Sequence, residues 1–261
     1  MLKLCIAGAA GRMGQAIIAE ALAKGHQITG ATEAPNCPAL GKSLCDFGIN
    51  SDTKISADIN KALQDADIFI SFTTPAADLI NIPAAVGLGK RIILGTTGFT
   101  ADQSQKVVAA MSDKVPVVFS PNYSVGINIL FKLAEQLKVF PQGYDFSINE
   151  IHHVYKTDAP SGTAKKLGEI IANVRGYTET VSGREGINPR QPHELEVTTH
   201  RAGGIAGIHN LIIAGPNEML RIEHTAFSRN VFAQGAVYAA EWISHQTKPQ
   251  IYSMADVLGL N

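Results

Sequence analysis

The chain has 261 residues, of which 45% are hydrophobic and 17% charged, and its formal net charge is −1 at pH 7. This composition is typical of a chain that folds around a packed core, and it argues against disorder. The balanced charge gives no reason to expect a nucleic acid or a membrane surface as partner. Three cysteines without a CxxC pair fit neither a disulfide framework nor a structural zinc site.

The N-terminal apolar run is short and leads directly into glycines and Arg12, so it predicts a first strand rather than a signal peptide. No stretch approaches the roughly 18 apolar residues that span a membrane. We therefore expect a cytoplasmic protein. Cys5, inside the first strand, is expected to be a small core residue.

Strands and helices alternate along the first half of the chain. Strands are predicted at 2–7, 27–32, 68–72, 91–94 and 115–119, helices at 13–24, 59–64, 76–88 and 101–111, and a loop at 34–52. Strands separated by helices imply crossover connections and a parallel sheet covered on both faces. The prediction is an α/β domain with a Rossmann-type, doubly wound sheet.

The pattern changes beyond residue 124. Helices are predicted at 125–138, 164–174 and 232–245, strands at 144–151, 193–201, 208–214 and 219–227, and a mobile loop at 177–192. Three strands follow one another without an intervening helix, which indicates a mixed or antiparallel sheet. We therefore predict a second domain of α+β type.

A glycine turn at Gly8–Gly14 (GAAGRMG) joins the first strand to the first helix. Backbone without a Cβ lets a phosphate approach the helix N-terminus, although such turns also serve packing. The second strand ends at Glu33, where a carboxylate can accept hydrogen bonds from an adenosine ribose. Ala34 supplies no cation for a 2′-phosphate, and Arg12 is the one candidate nearby. These residues predict a dinucleotide site that prefers NADH to NADPH.

Small polar residues follow three further strands of the predicted parallel sheet. They are Thr73-Thr74-Pro75, Gly95-Thr96-Thr97 and Ser120–Tyr123. Ligands of open parallel sheets bind at the carboxyl ends of the strands, so Gly95–Thr97 is placed at the nicotinamide ribose or ring. Ser120–Tyr123 is expected to close over the nicotinamide. Turn formation alone is the alternative for these loops.

The densest cluster of reactive side chains lies at residues 150–164 (EIHHVYKTDAPSGTA). In an extended chain His152 and Lys156 share a face, and His153 points the other way. A histidine can deliver a proton near neutral pH, and a lysine offers a cation or a second acid. Ser161, Gly162 and Thr163 mark a helix N-terminus that can bind a carboxylate. We predict a catalytic and substrate-binding segment here.

A metal site is the competing interpretation of the eight histidines. His193, His200, His209 and His224 show no HExxH or paired ligand spacing, and adjacent histidines of a strand do not easily bind one ion. No metal is therefore expected. The arginines near residues 201 and 229 are further candidates for carboxylate contacts, although exposed arginines usually have no specific partner.

Together these motifs resemble the 4-hydroxy-tetrahydrodipicolinate reductase (dihydrodipicolinate reductase) family over essentially the whole chain. The resemblance rests on GAAGRMG at 8–14, SFTTP (DFTxP-like) at 71–75, GTTGF at 95–99, NYSVGIN at 122–128, EIHHVYKTDAPSGTA at 150–164, RAGGIAGIH at 201–209 and DVLGL at 256–260. It implies NAD(P)H-dependent reduction of 4-hydroxy-tetrahydrodipicolinate to tetrahydrodipicolinate, on the diaminopimelate route to lysine. It also implies that the hydride is transferred to C4 of the ring.

The resemblance also implies roles for individual residues. Cofactor contacts fall to Gly8, Ala9, Ala10, Gly11, Arg12, Met13, Glu33, Gly95, Thr96, Thr97, Ser120, Pro121, Asn122 and Tyr123. His152 is the expected proton donor and acceptor and Lys156 a second proton donor. The dicarboxylate would bind His153, Lys156, Ser161, Gly162 and Thr163. Many relatives carry Arg or Lys after the acidic ribose residue, and Ala34 departs from that pattern.

The family plan places the second domain as an insertion and assembles it into a homotetramer. The resulting domains are 1–123 plus 233–261 for the dinucleotide and 124–232 for substrate binding and tetramerisation. Two alternatives stay open at this point. One is another two-domain nicotinamide-dependent dehydrogenase, and the other is an NAD(H)-binding module without catalysis.

Overall fold

The computed structural model describes residues 1–260, and the chain forms two compact units. The first consists of Met1–Ser124 together with the segment from Asn230 onward, and the second is Val125–Arg229. The second unit is thus an insertion into the first. The boundaries predicted at 123 and 233 lie within a few residues of these, while the roles assigned to the two units stay predictions.

Secondary structure follows the predicted order along the described residues. The strands are β1 (Lys3–Ala7), β2 (Gln27–Thr32), β3 (Ile55–Ser56), β4 (Ile68–Ser71), β5 (Arg91–Leu94), β6 (Val117–Phe119), β7 (Asp145–His152), β8 (Glu179–Val181), β9 (Glu194–Arg201), β10 (Gly207–Ala214), β11 (Met219–Ala226) and β12 (Ile251–Tyr252). The helices are α1 (Arg12–Ala23), α2 (Ile59–Leu63), α3 (Pro75–Gly87), α4 (Ala101–Met111), α5 (Val125–Gln136), α6 (Gly162–Arg175), α7 (Asn230–Ile243) and α8 (Met254–Val257).

The first unit is built on a parallel sheet with the strand order β12-β6-β5-β4-β1-β2-β3. The fully buried residues Phe69 and Ile70, neighbours on β4, belong to two different apolar clusters, as expected when helices cover both faces. The strand order reverses between β1 and β4. Open α/β sheets bind ligands at such a point, beyond the carboxyl ends of the strands.

The second unit is a mixed sheet with the order β11-β10-β7-β9-β8. The β7–β10 and β10–β11 pairs are antiparallel, and the β7–β9 and β8–β9 pairs are parallel. Alternate residues of β7, such as Phe146 and Ile148, are buried with apolar residues of α5 and α6. Ser147, Asn149 and Ile151 point to the opposite face and stay half-exposed.

The predicted α/β class with a mixed second sheet is confirmed. Strands β3 and β12 and helix α8 were not predicted, because elements of two to four residues carry too little periodicity to detect. Strand β8 lies inside the segment 177–192 that was predicted to be only a loop, and it pairs with β9. No helix in the described part of the chain is long and apolar enough to span a membrane.

Candidate active site

The glycine turn after β1 has the geometry of an anion site. Gly8 has a φ of +68°, and a Cβ on Gly14 would lie 2.0 Å from the Gly8 carbonyl oxygen, so both positions need glycine. Gly11 caps α1 and offers no side chain to the N–H groups of the first turn. Those groups and the helix dipole are therefore available to a phosphate, and Arg12 is exposed beside them.

Glu33, one residue beyond β2, is tied to this turn. Its Oε1 accepts a hydrogen bond from the Ala10 N–H at 2.9 Å, and its Oε2 accepts one from the Ala34 N–H at 3.2 Å. The carboxylate is thus held beside the phosphate-binding segment. In dinucleotide-binding sheets the adenosine ribose lies next to the diphosphate, at the end of the second strand. A carboxylate at this strand end can therefore bind the ribose hydroxyls.

The loops after β4 and β5 are joined by a hydrogen bond from the Thr73 N–H to Thr96 Oγ1 at 2.9 Å. A Cβ on Gly95 would lie 2.1 Å from the Phe72 ring, so glycine lets the two loops pack closely. Thr97 is exposed at the end of the β5 loop, whereas Thr96 is buried. Thr96 therefore supports this loop from beneath.

The segment Ser120–Tyr123 lies in the same unit, but Tyr123 is a core residue. Its ring is 1% exposed, packs on Phe72 at 5.0 Å between ring centroids, and its hydroxyl donates to the Val118 carbonyl oxygen at 2.8 Å. Burial raises the pKa of its hydroxyl. The side chain supports the loop instead of reaching a ligand, which corrects the expected direct contact of Tyr123. Pro121 is exposed.

In the second unit, Glu150 and His152 lie two residues apart on β7 and face the same side of the sheet. Glu150 is fully buried, and its Oε2 contacts His152 Nδ1. Its Oε1 accepts hydrogen bonds from the Ser161 N–H at 3.0 Å and from Arg201 Nη2 at 3.1 Å. Burial opposes ionisation, yet these partners lower the pKa of Glu150 to about 2, so it is a carboxylate at neutral pH.

His152 is nearly buried, and its Nδ1 is engaged by Glu150, which leaves Nε2 for a ligand. A Cβ on Gly207 would lie 3.0 Å from this Nε2, so glycine keeps the space beside it open. The His209 ring packs edge-on against His152 at 5.1 Å between centroids. Burial, and then the charge of His152, lower the pKa of His209 to about 3, so His209 is neutral at physiological pH.

Lys156 lies on a turn beyond β7, and its N–H donates to the His153 carbonyl oxygen at 3.1 Å. The chain is therefore not extended from His152 to Lys156, and the expectation of a shared strand face was wrong. Lys156 Nζ pairs with Asp158 Oδ1 at 2.8 Å. Arg201 donates to the carbonyl oxygens of Lys156 and Asp158 as well as to Glu150, so it ties this turn to the buried carboxylate.

Ser161 is the N-cap of α6 and accepts the Ala164 N–H on its Oγ at 3.2 Å. The same Oγ lies 3.1 Å from His209 Nε2. Because the Ser161 N–H donates to Glu150, the start of α6 lies beside the Glu150–His152 pair. Gly162 is exposed with open space around it, so an anion can approach the helix N-terminus here.

The remaining substrate candidates lie around this pair. Thr163 follows Gly162 in the first turn of α6 and is half-buried. His153 Nε2 lies 3.1 Å from Arg229 Nη2, and the His153 N–H donates to the Ile205 carbonyl oxygen. Arg229 is thus a neighbour of His153, which is predicted to bind a substrate carboxylate. The sequence had made Arg229 a candidate for the same role.

One group of potential metal ligands exists among residues 1–260. Glu150, His152 and His209 each offer one ligand atom, and these atoms lie within 4.8 Å of one another. Sequence spacing did not show this proximity, because β10 brings His209 beside β7. A cation fits poorly, since both oxygens of Glu150 already accept hydrogen bonds and one donor is the Arg201 guanidinium.

Sequence reasoning missed the roles of Glu150, Arg201 and His209. Glu150 had a usable signal, since residues two apart on a strand share a face and its carboxylate precedes His152 by two positions. Arg201 and His209 lie in the RAGGIAGIH motif, and Arg201 was a candidate for a carboxylate contact. No local pattern placed them beside Glu150 and His152, because they reach that pair only through the pairing of β7 with β9 and β10.

A parallel sheet with a glycine turn open to a phosphate and an acidic residue after β2 has the plan of a dinucleotide-binding unit, and the second unit adds a carboxylate–histidine pair suited to proton transfer. These features fit the class of nicotinamide-dependent oxidoreductases. Two family models match the chain, "Dihydrodipicolinate reductase, N-terminus" at residues 2–123 and "Dihydrodipicolinate reductase, C-terminus" at residues 126–258. The chain belongs to the dihydrodipicolinate reductase family.

Relatives that match the chain over their full length are named 4-hydroxy-tetrahydrodipicolinate reductase. The 4-hydroxy-tetrahydrodipicolinate reductases of Syntrophotalea carbinolica and Methanosarcina acetivorans are each 42% identical, with 100% of both chains covered. The predicted family, enzyme class and reaction are thereby confirmed, and the cofactor is a nicotinamide dinucleotide, NAD(P)H.

Solved structures support the fold. The dipicolinate-bound dihydrodipicolinate reductase from Paenisporosarcina sp. TG-14 is similar with a TM-score of 0.77 and 20% identity, covering 98% of each chain. The myo-inositol dehydrogenase of Lactobacillus casei, in complex with NAD(H) and myo-inositol, has a TM-score of 0.63 and 16% identity and covers 100% of this chain and 91% of its own. At these identities the likeness shows the fold alone.

Proposed function

We propose that the chain reduces 4-hydroxy-tetrahydrodipicolinate with NAD(P)H, that the first unit binds the cofactor, and that residues 150–164 bind the substrate. The single observation that carries this proposal is the buried Glu150–His152 pair beside the N-terminus of α6. It combines a proton-transfer group with an anion site, and reduction of a dicarboxylate ring needs both.

In this reaction the ring loses its C4 hydroxyl group as water and gains a hydride at C4 and one proton. Bound NAD(P)H would supply the hydride and would leave as NAD(P)⁺. His152 Nε2 is the atom that we assign to proton transfer, because Nδ1 is engaged by Glu150. The ionised carboxylate stabilises the imidazolium and holds the ring in one orientation. Gly207 leaves room for the substrate beside Nε2.

The substrate carboxylates are assigned to two places. The first is the start of α6, where Ser161 is the N-cap and Gly162 and Thr163 lie in the first turn, at the positive end of the helix dipole. The second is the Lys156 side chain, 23% exposed, with His153 nearby on the same loop. Lys156 must exchange its Asp158 partner for the substrate, and it can then also serve as a second proton donor.

For the cofactor we propose a preference for NADH over NADPH. The Glu33 carboxylate is held beside the Ala10 N–H, where it can bind ribose hydroxyls and would repel a 2′-phosphate. Ala34 adds no compensating cation, and Arg12 extends from the exposed start of α1. The backbone of Gly8–Met13 is assigned to the diphosphate, and Gly95–Thr97 and Ser120–Asn122 to the nicotinamide end.

We propose that the reaction uses no metal, because the Glu150 carboxylate already binds the Arg201 guanidinium and is a poor ligand for a metal ion. We also propose a cytoplasmic location, in keeping with three free cysteines in a compartment that keeps thiols reduced.

The second unit is proposed to assemble the chain into a homotetramer. Ile151 and Ile208 lie opposite each other on β7 and β10, and Ile212 follows on the same face of the sheet. Met219, at the edge of this face on β11, is 57% exposed. Half-exposed isoleucines on one sheet face are apolar surface that a second copy of the chain can bury.

The test is a steady-state assay of NADH oxidation with the enzymatically generated precursor. His152→Gln should lower kcat by roughly 10²–10⁴-fold and leave NADH binding nearly intact. His193→Gln, at an exposed histidine of the same unit, is the matched control and should keep full activity. Wild-type turnover in His152→Gln would overturn the catalytic assignment, and NADH binding without any turnover in the wild type would favour a non-catalytic module.

A further inference from the structure

Asp78, in the first turns of α3, is a fully buried carboxyl group to which the proposed reaction assigns no part. Its Oδ1 accepts a hydrogen bond from Ser71 Oγ at 2.6 Å. Its Oδ2 is buried and makes no hydrogen bond. The residue thus lies directly beneath the end of β4.

A buried carboxyl group at this position of α3 lowers the stability of the folded chain. Burial raises the pKa of Asp78, and hydrogen bonds from the hydroxyls of Ser71, Thr96 and Thr73 offset this rise in part. No cation among the described residues lowers the pKa further. A carboxyl buried without a countercharge is less favourable than an apolar side chain of similar size. Packing of α3 therefore does not account for Asp78.

What Asp78 does is connect two loops. Ser71 Oγ lies 3.1 Å from Thr73 Oγ1, and Thr73 Oγ1 lies 3.4 Å from Asp78 Oδ1. The Thr73 N–H in turn donates to Thr96 Oγ1 at 2.9 Å. The network therefore runs from α3, through the end of β4, to the loop that follows β5.

We propose that Asp78 is a positioning residue for the nicotinamide half of the cofactor, acting through Ser71, Thr73 and Thr96 on the loop Gly95–Thr97. The inference rests on the proposed function, which assigns this loop to the nicotinamide end. The adenosine half of the cofactor is assigned to the glycine turn and Glu33, and Asp78 makes no hydrogen bond to either of them. The network also approaches that side, since Ser71 pairs with Ala7 across β4 and β1 and a Cβ on Gly8 would lie 3.0 Å from the Thr73 methyl group.

The test compares NADH with ADP-ribose, which lacks the nicotinamide, by equilibrium binding to the purified full chain. Asp78→Ala should raise the Kd for NADH about 10-fold, as expected for loss of a hydrogen-bonded carboxyl, and change the Kd for ADP-ribose less than about threefold. Asp78→Asn, which keeps an acceptor for Ser71, should fall between. Asp102→Asn removes an exposed carboxylate at the start of α4 and should change neither.

Equal weakening of both ligands would show a general structural role and overturn the proposal, as would no change in either. If Asp78→Ala does not fold, Ser71→Ala removes the same hydrogen bond from the strand side and must give the same selective loss. Wild-type turnover of the precursor is measured in parallel. A failure of turnover would count against the proposed reaction, whereas the ratio of the two Kd values tests Asp78 alone.

Discussion

Replacing Glu150 by glutamine tests the centre of the site with a minimal change of shape. The variant keeps the size of the side chain and removes the negative charge that His152, Arg201 and the Ser161 N–H share. Two consequences follow, one for stability and one for turnover.

The stability effect follows from the pKa of Glu150, which folding lowers from 4.5 to about 2. A shift of this size corresponds to about 3 kcal/mol. Because the folded pKa lies below the unfolded one, this stabilisation is complete above pH 4.5 and is lost as the pH falls toward 2. Glu150→Gln should therefore be up to about 3 kcal/mol less stable at pH 7, and the gap should close in acid.

The turnover effect follows from the contact between Glu150 and His152 Nδ1. A hydrogen bond to a charged group contributes about 1.5–3 kcal/mol, so kcat should fall roughly 10- to 100-fold. The KM for NADH should stay unchanged, because the residues that we propose to bind the cofactor lie in the other unit.

The assay is urea unfolding followed by far-UV circular dichroism at pH 7.5 and pH 3, with kcat measured on the same preparations at pH 7.5. The single tryptophan, Trp242, lies in α7 of the first unit, so its fluorescence reports separately on the unit without Glu150. Glu169→Gln, at an exposed carboxylate on α6, is the control. Equal stability of Glu150→Gln and wild type at both pH values, or an unchanged kcat, would refute this account of the site.

Three further predictions concern the cofactor, the packing and the assembly. Ala34→Arg should raise kcat/KM for NADPH about 10-fold relative to NADH, since it supplies a cation for the 2′-phosphate; an unchanged ratio in steady-state assays would contradict the role of Glu33. Gly235→Ala places a Cβ 1.7 Å from the Tyr123 carbonyl oxygen and should destabilise the chain by about 1–3 kcal/mol, whereas Gly87→Ala has open space and should not lower the thermal midpoint. Ile212→Asp should reduce the mass seen by light scattering and Ile212→Val should not; a tetramer in both variants would exclude this face.

The regular elements of the fold were predictable because their signals are local. Apolar residues with period 2 or 3.6 report which face of a strand or helix is buried, and the bounds of β2, β5 and α4 agree with prediction to the residue. The glycine turn and the first turn of α6 were also visible, since capping residues and glycines act on neighbours a few positions away.

The sequence by itself thus determined the two-unit α/β plan and placed His152, Ser161 and Glu33 at the ends of their elements. Only the tertiary structure decided which side chains meet there. Sheet pairing sets His209 opposite Glu150, 59 residues away along the chain, and Arg201 opposite His152, 49 residues away. Strand register depends on the whole core, so no local pattern reveals it. For the same reason Tyr123 is a core residue, and Asp78 lies beneath two loops instead of facing solvent.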